Sequence, residues 1–260
     1  MSAGPLSGRG AVVTGGGRGI GAAIAHALAE AGASVVVSAR SASEIEAIAA
    51  SLREKGAAWA VVCDVTDEAS VRRLGEEARR HLGAVEILVS NAGDAMSAPL
   101  AKITLEEWNR MLAVNATGTF LCTREFGPEM ALRGRGRIVN VASTAGLHGG
   151  KYIASYAAAK HAVIGFTRSI ALELAERGVT VNAVCPGYTD TSLTDRTVRN
   201  VSTRTGLDRT AAVAAILATS GQARLVTPEE VAAEVCRLCL DEAAATTGQA
   251  ILVDGGTTSP

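Results

Sequence analysis

Short runs dominated by β-branched residues recur along the chain as GAVVTG, SVVVSA, AWAVVCD, VEILVSNAG, RIVNVAS, VTVNAVCPG and AILVDGG. Between most of them lie longer stretches with apolar residues at helical spacing, such as GAAIAHALAEAG and EEVAAEVCRLCLDEA. This alternation predicts βαβ units. The strand runs are apolar at nearly every position, so they are expected to be buried on both faces, in a parallel sheet with helices on each side. Right-handed crossovers make such units an α/β, doubly wound parallel sheet of the Rossmann type with about seven strands.

No repeat or low-complexity linker interrupts the rhythm, and residues 1–260 are expected to form a single domain. The segment 189–227, rich in Thr, Ser, Arg and Ala, departs from the pattern. It follows the carboxyl end of a strand, where open α/β sheets bind ligands, and is expected to be a substrate lid; a poorly ordered surface excursion is the alternative.

Charge narrows the partners. With 25 basic and 26 acidic residues and no block of like charge, the chain lacks the electrostatic footprint of a nucleic-acid or anionic-membrane binder, and a small-molecule partner is expected. The start MSAGPLSGRG has no signal-peptide pattern, and no apolar run approaches the ~20 residues of a membrane span. Cys63, Cys122, Cys185, Cys236 and Cys239 are scattered, which suits a reducing compartment, and the expected location is cytoplasmic. Cys236 and Cys239 fall on one face of a helical pattern and read as buried thiols, while His26, His81, His148 and His161 have no metal-ligand spacing. No metal is expected.

Between the first strand and first helix stands Thr14-Gly15-Gly16-Gly17-Arg18-Gly19-Ile20-Gly21. Glycines let the backbone approach a pyrophosphate, and the helix start presents unpaired N–H groups to the anion. The strand-turn-helix context makes Gly15, Gly17, Arg18, Gly19, Ile20 and Gly21 candidate dinucleotide contacts. The second strand ends Val36-Val37-Ser38-Ala39-Arg40, without the carboxylate that would hold an unphosphorylated ribose. A guanidinium attracts a 2'-phosphate, so Arg40, with Arg18 as a second cation, favours NADP(H) over NAD(H), unless both arginines are simply solvated. Asp64, with Val65 beside it, is a candidate adenine contact or else a turn-forming aspartate.

Tyr156 and Lys160 lie four residues apart in the helical run SYAAAKHAVIGFTRSIALELA, which places phenol and ammonium on one face. A tyrosine with a pKa near ~10 is a poor base at neutral pH, and a neighbouring cation is expected to lower it. Ser143 ends the run RIVNVAS and is positioned to face Tyr156 across a substrate oxygen.

Together these residues resemble the short-chain dehydrogenase/reductase family over essentially the whole chain: TGGGRGIG at 14–21, SNAG at 90–93, Asn115 in VNATGTF, Ser143, Tyr156 with Lys160, and Pro186-Gly187. The resemblance implies that Tyr156 is the acid/base, that Lys160 holds the nicotinamide ribose and lowers the tyrosine pKa, and that Ser143 orients the substrate oxygen. Asn115 would complete the tetrad by supporting a water between the lysine and solvent; alone it reads as a helix-kinking amide. Asn91, Ala92 and Gly93 would lie beside the cofactor, Pro186 and Gly187 along the nicotinamide, and Thr189 and Thr191 at its carboxamide or phosphate. Two positions depart from the family pattern, Ser90 for the usual Asn and Thr189 for the usual aliphatic residue.

The implied activity is hydride transfer between NADP(H) and a carbonyl or secondary alcohol, leaning to 3-oxoacyl or 3-hydroxyacyl thioesters. Small ketones, cyclic alcohols and sugars are the alternatives, since specificity is expected to lie in 148–154, 189–227 and 94–97. Arg196, Arg199, Arg204 and Arg209 either meet a phosphorylated carrier or are solvated. A non-catalytic dinucleotide-binding sensor is the rival from another class. The resemblance also implies a homotetramer, or a homodimer.

Overall fold

The computed structural model describes residues 4–256. The chain runs β1 (Gly10–Thr14), α1 (Gly19–Glu30), β2 (Ser34–Ala39), α2 (Ala42–Leu52), β3 (Ala58–Val62), α3 (Glu68–Leu82), β4 (Ile87–Ser90), α4 (Leu105–Leu112) and α5 (Gly118–Arg133). It continues through β5 (Gly136–Val141), α6 (Ala154–Leu174), β6 (Val179–Pro186), α7 (Ser192–Thr205), α8 (Arg209–Ser220), α9 (Pro228–Cys239) and β7 (Ala250–Val253). The strands form one parallel seven-stranded sheet in the order β3-β2-β1-β4-β5-β6-β7.

Period-two alternation with both faces covered explains why the central strands are apolar at most positions. Val13, Val35, Val37, Ile87, Val89 and Val139 point into one core, which α1, α2 and α9 close with Ile24, Leu28, Ile45, Leu52, Val231, Val235 and Leu238. Their neighbours Val12, Val36, Leu88 and Ile138 point the other way, into a core closed by Leu74 of α3, Phe126 and Met130 of α5 and Ala171 of α6. Every central strand position therefore meets a helix.

Helix starts are set locally. Thr227 and Glu230 form a reciprocal capping box ahead of α9, with Pro228 in its first turn, and Thr104 with Glu107 does the same for α4. Asp67 and Asp208 cap α3 and α8. Residues 189–227 are not an irregular excursion. α7 and α8 pack on each other through Val198, Ala212 and Ile216, with Tyr188, Val201 and Val213 around them, in a small core of their own.

β1 lies between β2 and β4, so the connections leaving β1 and β4 run in opposite directions across the sheet. A crevice opens between their carboxyl ends, as at the switch point of any doubly wound sheet. The glycine turn and Asn91–Gly93 flank it.

Candidate active site

The turn after β1 is built so that side chains are excluded. Gly15 has φ +64°, and a Cβ on it would lie 2.8 Å from Ala92 Cα. A Cβ on Gly21 would lie 2.2 Å from the Gly15 carbonyl oxygen. Asn91 braces the same turn, donating from Nδ2 to the carbonyls of Thr14 at 3.0 Å and Gly15 at 3.1 Å. The amides of Asn91 and Ala92 both donate to Thr14 Oγ1 at 3.1 Å. At the head of α1 the N-cap is Arg18, whose side chain makes no capping bond, and the first turn holds no acid. The head of α1 thus offers N–H groups that its own N-cap side chain does not satisfy, which fits a diphosphate. Thr191, at the head of α7, touches this turn: a Cβ on Gly19 would be 3.3 Å from its Cγ2.

Arg40 is exposed at the end of β2 as expected, but Arg18 is paired with Glu44 at 3.2 Å. Glu44, from the first turn of α2, also lies against the glycine turn, since a Cβ on Gly17 would stand 3.3 Å from its Oε2. A carboxylate is therefore present although none ends β2. Asp64 folds onto its own loop, its Oδ1 accepting from Thr66 N at 2.9 Å and Thr66 Oγ1 at 2.7 Å, which is the turn-forming role. Burial works against its charge, yet those bonds and Arg40 hold it below the ordinary carboxylate range. Val65 is buried against the start of α5, where a Cβ on Gly118 would meet it.

Ser143 lies two residues past the end of β5 and heads a short 3-10 turn, its Oγ accepting from Ala145 N at 3.1 Å. Its hydroxyl lies on the side of the Tyr156 phenol, on the first turn of α6, close enough to work against the rise in that phenol's pKa. One helical turn on, the buried Lys160 ammonium donates to the Val141 carbonyl at 2.8 Å and stands 5.9 Å from the centre of the Tyr156 ring. Serine, tyrosine and lysine thus meet beside the crevice, as their spacing predicted. The electrostatics differ from expectation. Desolvation pushes the Tyr156 phenol above its ordinary value, opposed by the Ser143 hydroxyl, and the lysine does not bring it down. Burial draws Lys160 itself down to about 8.

Asn115 sits in a π-helical stretch, Ala113–Thr117, between α4 and α5. Its Nδ2 donates to the Met111 carbonyl at 3.0 Å and to the Asp94 carbonyl at 2.9 Å, while its Oδ1 accepts from Asp94 N at 3.3 Å. The extra residue in this turn aims the amide at the loop after β4, so the helix-kinking role of Asn115 is visible in its bonds. Gly93 is close to both groups: a Cβ there would lie 2.7 Å from Asn115 Oδ1 and 3.5 Å from Lys160 Nζ.

Beyond β6, Pro186 closes the strand with its carbonyl 3.5 Å from Ser143 Oγ, and Gly187 N donates to Val253 O at 3.0 Å. Thr189 is buried with its Oγ1 turned back on the Gly187 carbonyl at 3.1 Å, and Thr191 Oγ1 reaches the Thr189 carbonyl at 3.4 Å. The Ser90 hydroxyl, where the family pattern has an amide, is buried without a hydrogen-bond partner. Two of the four arginines singled out in 189–227 are tied to acids, Arg196 to Asp94 and Arg209 to Asp195. Tyr188 and Glu44 were not singled out in the sequence. Tyr188 stands near enough to Tyr156 to act on its charge, and its position just after Pro186-Gly187 was the available signal.

Along its length the chain is similar to known oxidoreductases. A 3-oxoacyl-[acyl-carrier-protein] reductase of Synechocystis sp. is 41% identical over 249 residues, covering 95% of each chain. A cis-4-hydroxycyclohexanecarboxylate dehydrogenase of Sinomonas cyclohexanicum is 41% identical over 252 residues, covering 96% of each. Among solved structures, an actinorhodin polyketide ketoreductase with NADPH superposes with a TM-score of 0.92 at 36% identity over the full length of both chains. The family model for short chain dehydrogenase matches residues 9–202, and this chain belongs to that family.

Proposed function

We propose that this protein reduces the carbonyl of a 3-oxoacyl thioester with NADPH. The observation that carries the chemistry is the buried phenol of Tyr156 on the Ser143 side, with the Lys160 ammonium 5.9 Å from its ring centre. Gly15, Gly17, Gly19, Ile20 and Gly21 would hold the diphosphate, Arg18 and Arg40 the 2'-phosphate, and Asp64 and Val65 the adenine. Asn91, Ala92, Gly93, Lys160 and the stretch from Pro186 and Gly187 through Thr189 and Thr191 would hold the nicotinamide half. Bound there, a reduced nicotinamide supplies hydride to the carbonyl carbon.

The side chains handle the proton. Tyr156 keeps its proton at neutral pH, because desolvation raises its pKa, and is therefore set to give that proton to the substrate oxygen as the alkoxide develops. Ser143 orients that oxygen. The phenolate left behind is stabilised by Lys160, which at neutral pH still carries most of its charge with a pKa of about 8. Asn115 holds the loop at Asp94 against the site. A phenol that holds its proton suits the reductive direction; oxidation of a 3-hydroxyacyl group runs the same steps in reverse.

The acyl-thioester assignment follows the reductase of Synechocystis sp. and the polyketide ketoreductase, whereas the cyclohexanecarboxylate dehydrogenase keeps a cyclic alcohol as the second reading. Lid residues 189–227, a cytoplasmic location and a homotetramer belong to the same proposal. The test is acetoacetyl thioester against a cyclic ketone and a cyclic alcohol, followed at the NADPH band, with wild type and Tyr156→Phe. The variant should lose about a thousandfold in kcat and keep NADPH affinity within about threefold. Activity within tenfold of wild type would overturn the assignment, and a wild type that binds NADPH yet turns over nothing would make it a sensor.

A further inference from the structure

Asp94 follows the Asn91-Ala92-Gly93 segment directly, and its main chain is held from both sides by one side chain, with Asn115 donating to its carbonyl and accepting from its amide. Its carboxylate reaches outward to two helices. Oδ2 accepts from Arg110 Nη1 of α4 at 2.6 Å, and Oδ1 accepts from Arg196 Nη2 of α7. The same Arg196 nitrogen donates to the Ala95 carbonyl at 2.8 Å.

The reach of α7 makes this pair more than a surface contact. At its head, Thr191 touches the phosphate turn at Gly19, and on its second turn Arg196 is fastened to the loop after β4. The helix thus spans the crevice between the ends of β1 and β4. Its apolar packing is mostly with α8 in a small separate core, not with the two cores of the sheet. Around it, Gln222 Oε1 accepts from Tyr188 N at 2.7 Å and Thr189 bridges Val226, both at the base of the α7–α8 unit. Arg196 is the tie on the crevice side.

We propose that Asp94 is a positioning residue that seats α7 over the reaction site by binding Arg196, with its own place fixed by Asn115. The proposal rests on the carbonyl-reductase reading for its kinetic readout. Substrate held under α7 should then depend on the pair, while proton transfer, which uses other residues, and NADPH binding, which meets α7 at Thr191 where the helix head is held separately by the Thr189 carbonyl, should not. Arg110 takes the second oxygen and keeps the carboxylate ionised and aimed; the two guanidiniums together hold it well below the ordinary carboxylate range even though burial opposes its charge.

Asp94→Asn and Arg196→Gln should each raise the KM for acyl substrate about tenfold, at saturating NADPH, with kcat and NADPH affinity within about twofold. The double variant should be no worse than either single one, because both remove the same tie. Raising salt to about 0.5 M should raise the wild-type KM and leave that of the variants unchanged, a response that simple destabilisation would not produce. Arg196 is half exposed, so its variant remains available if Asp94→Asn fails to fold. Amide exchange across 192–205 should quicken about tenfold in either variant, and this readout needs no turnover, so it stands apart from the reductase reading. An unchanged KM, additive single effects, a parallel loss of NADPH affinity, or unchanged exchange in 192–205 would each overturn the proposal.

Discussion

Lys160→Met removes a buried ammonium while keeping a long unbranched side chain, and so separates what the lysine does for turnover from what it does to the fold. Lys160 is 5% exposed, and no described carboxylate pairs with it; it meets the Val141 carbonyl at 2.8 Å and the face of Tyr156, with the Cys185 thiol nearby. Burial takes its pKa from 10.5 to about 8. At ~1.4 kcal/mol per unit, holding the charge inside costs the fold roughly 3 kcal/mol at neutral pH. Methionine escapes that cost but leaves the Val141 carbonyl without this donor, a loss of about 1 kcal/mol. The net gain is about 2 kcal/mol, or about 5 °C in Tm for a chain of this length. Below pH 8 the lysine is charged in both states and the cost is complete. Between about 8 and 10.5 the unfolded chain keeps a proton that the folded one releases, so wild-type stability climbs with pH and the advantage of the variant closes. Urea titrations of both proteins from pH 6 to about 10.5, at one protein concentration without cofactor, measure this directly. A variant no more stable than wild type at pH 7, or an advantage that stays flat across that range, would refute the reasoning.

Three further substitutions test the cofactor side. Gly21→Ala puts a Cβ 2.2 Å from the Gly15 carbonyl oxygen and should weaken NADPH binding by about a hundredfold or more, measured by fluorescence titration; near-normal affinity would count against the glycine turn as the diphosphate site. Arg40→Asp should move the ratio of kcat/KM for NADPH over NADH toward NADH by about tenfold or more, and an unchanged ratio would remove Arg40 from the 2'-phosphate site. Glu44→Gln should move the same ratio toward NADPH by about threefold, since it releases Arg18 from its ion pair and takes a negative charge off the turn. A shift in the opposite direction would show that Glu44 does not oppose the phosphate.

The sheet was legible because Val, Ile and Leu fill both faces of its central strands, a pattern that no half-exposed strand produces. The glycine turn and the Tyr156 to Lys160 spacing were legible because each depends on neighbours close in sequence. Contacts between distant segments were not. Glu44 meets Arg18 from 26 residues away and Arg196 meets Asp94 from 102 away, so neither pairing leaves a local trace. Asn115 read alone as a helix-kinking amide, but no local signal showed that its turn, Ala113–Thr117, is π-helical and carries an extra residue. Residues 189–227 stood apart through their Thr, Ser, Arg and Ala content, although Asp208 ahead of RTAAVAAILATS is a plain helix start. Burial was the other gap: the raised Tyr156 and lowered Lys160 follow from packing, and helical spacing alone suggested the reverse for the tyrosine.

Because each central strand is apolar on both sides, sliding one by a residue would exchange its faces without exposing anything polar, and hydrophobicity alone does not police the alignment. The few amides inside the sheet do. Asn182 of β6 donates to Thr246 O at 2.8 Å and accepts from Gln249 N at 3.1 Å, which locks the approach of β7, and Asn140 of β5 donates to Thr167 Oγ1 at 3.0 Å on α6. A slip would strand each amide without partners, at about 1–3 kcal/mol apiece. The register that brings Ser143 beneath Tyr156 is therefore guarded by asparagines that touch neither.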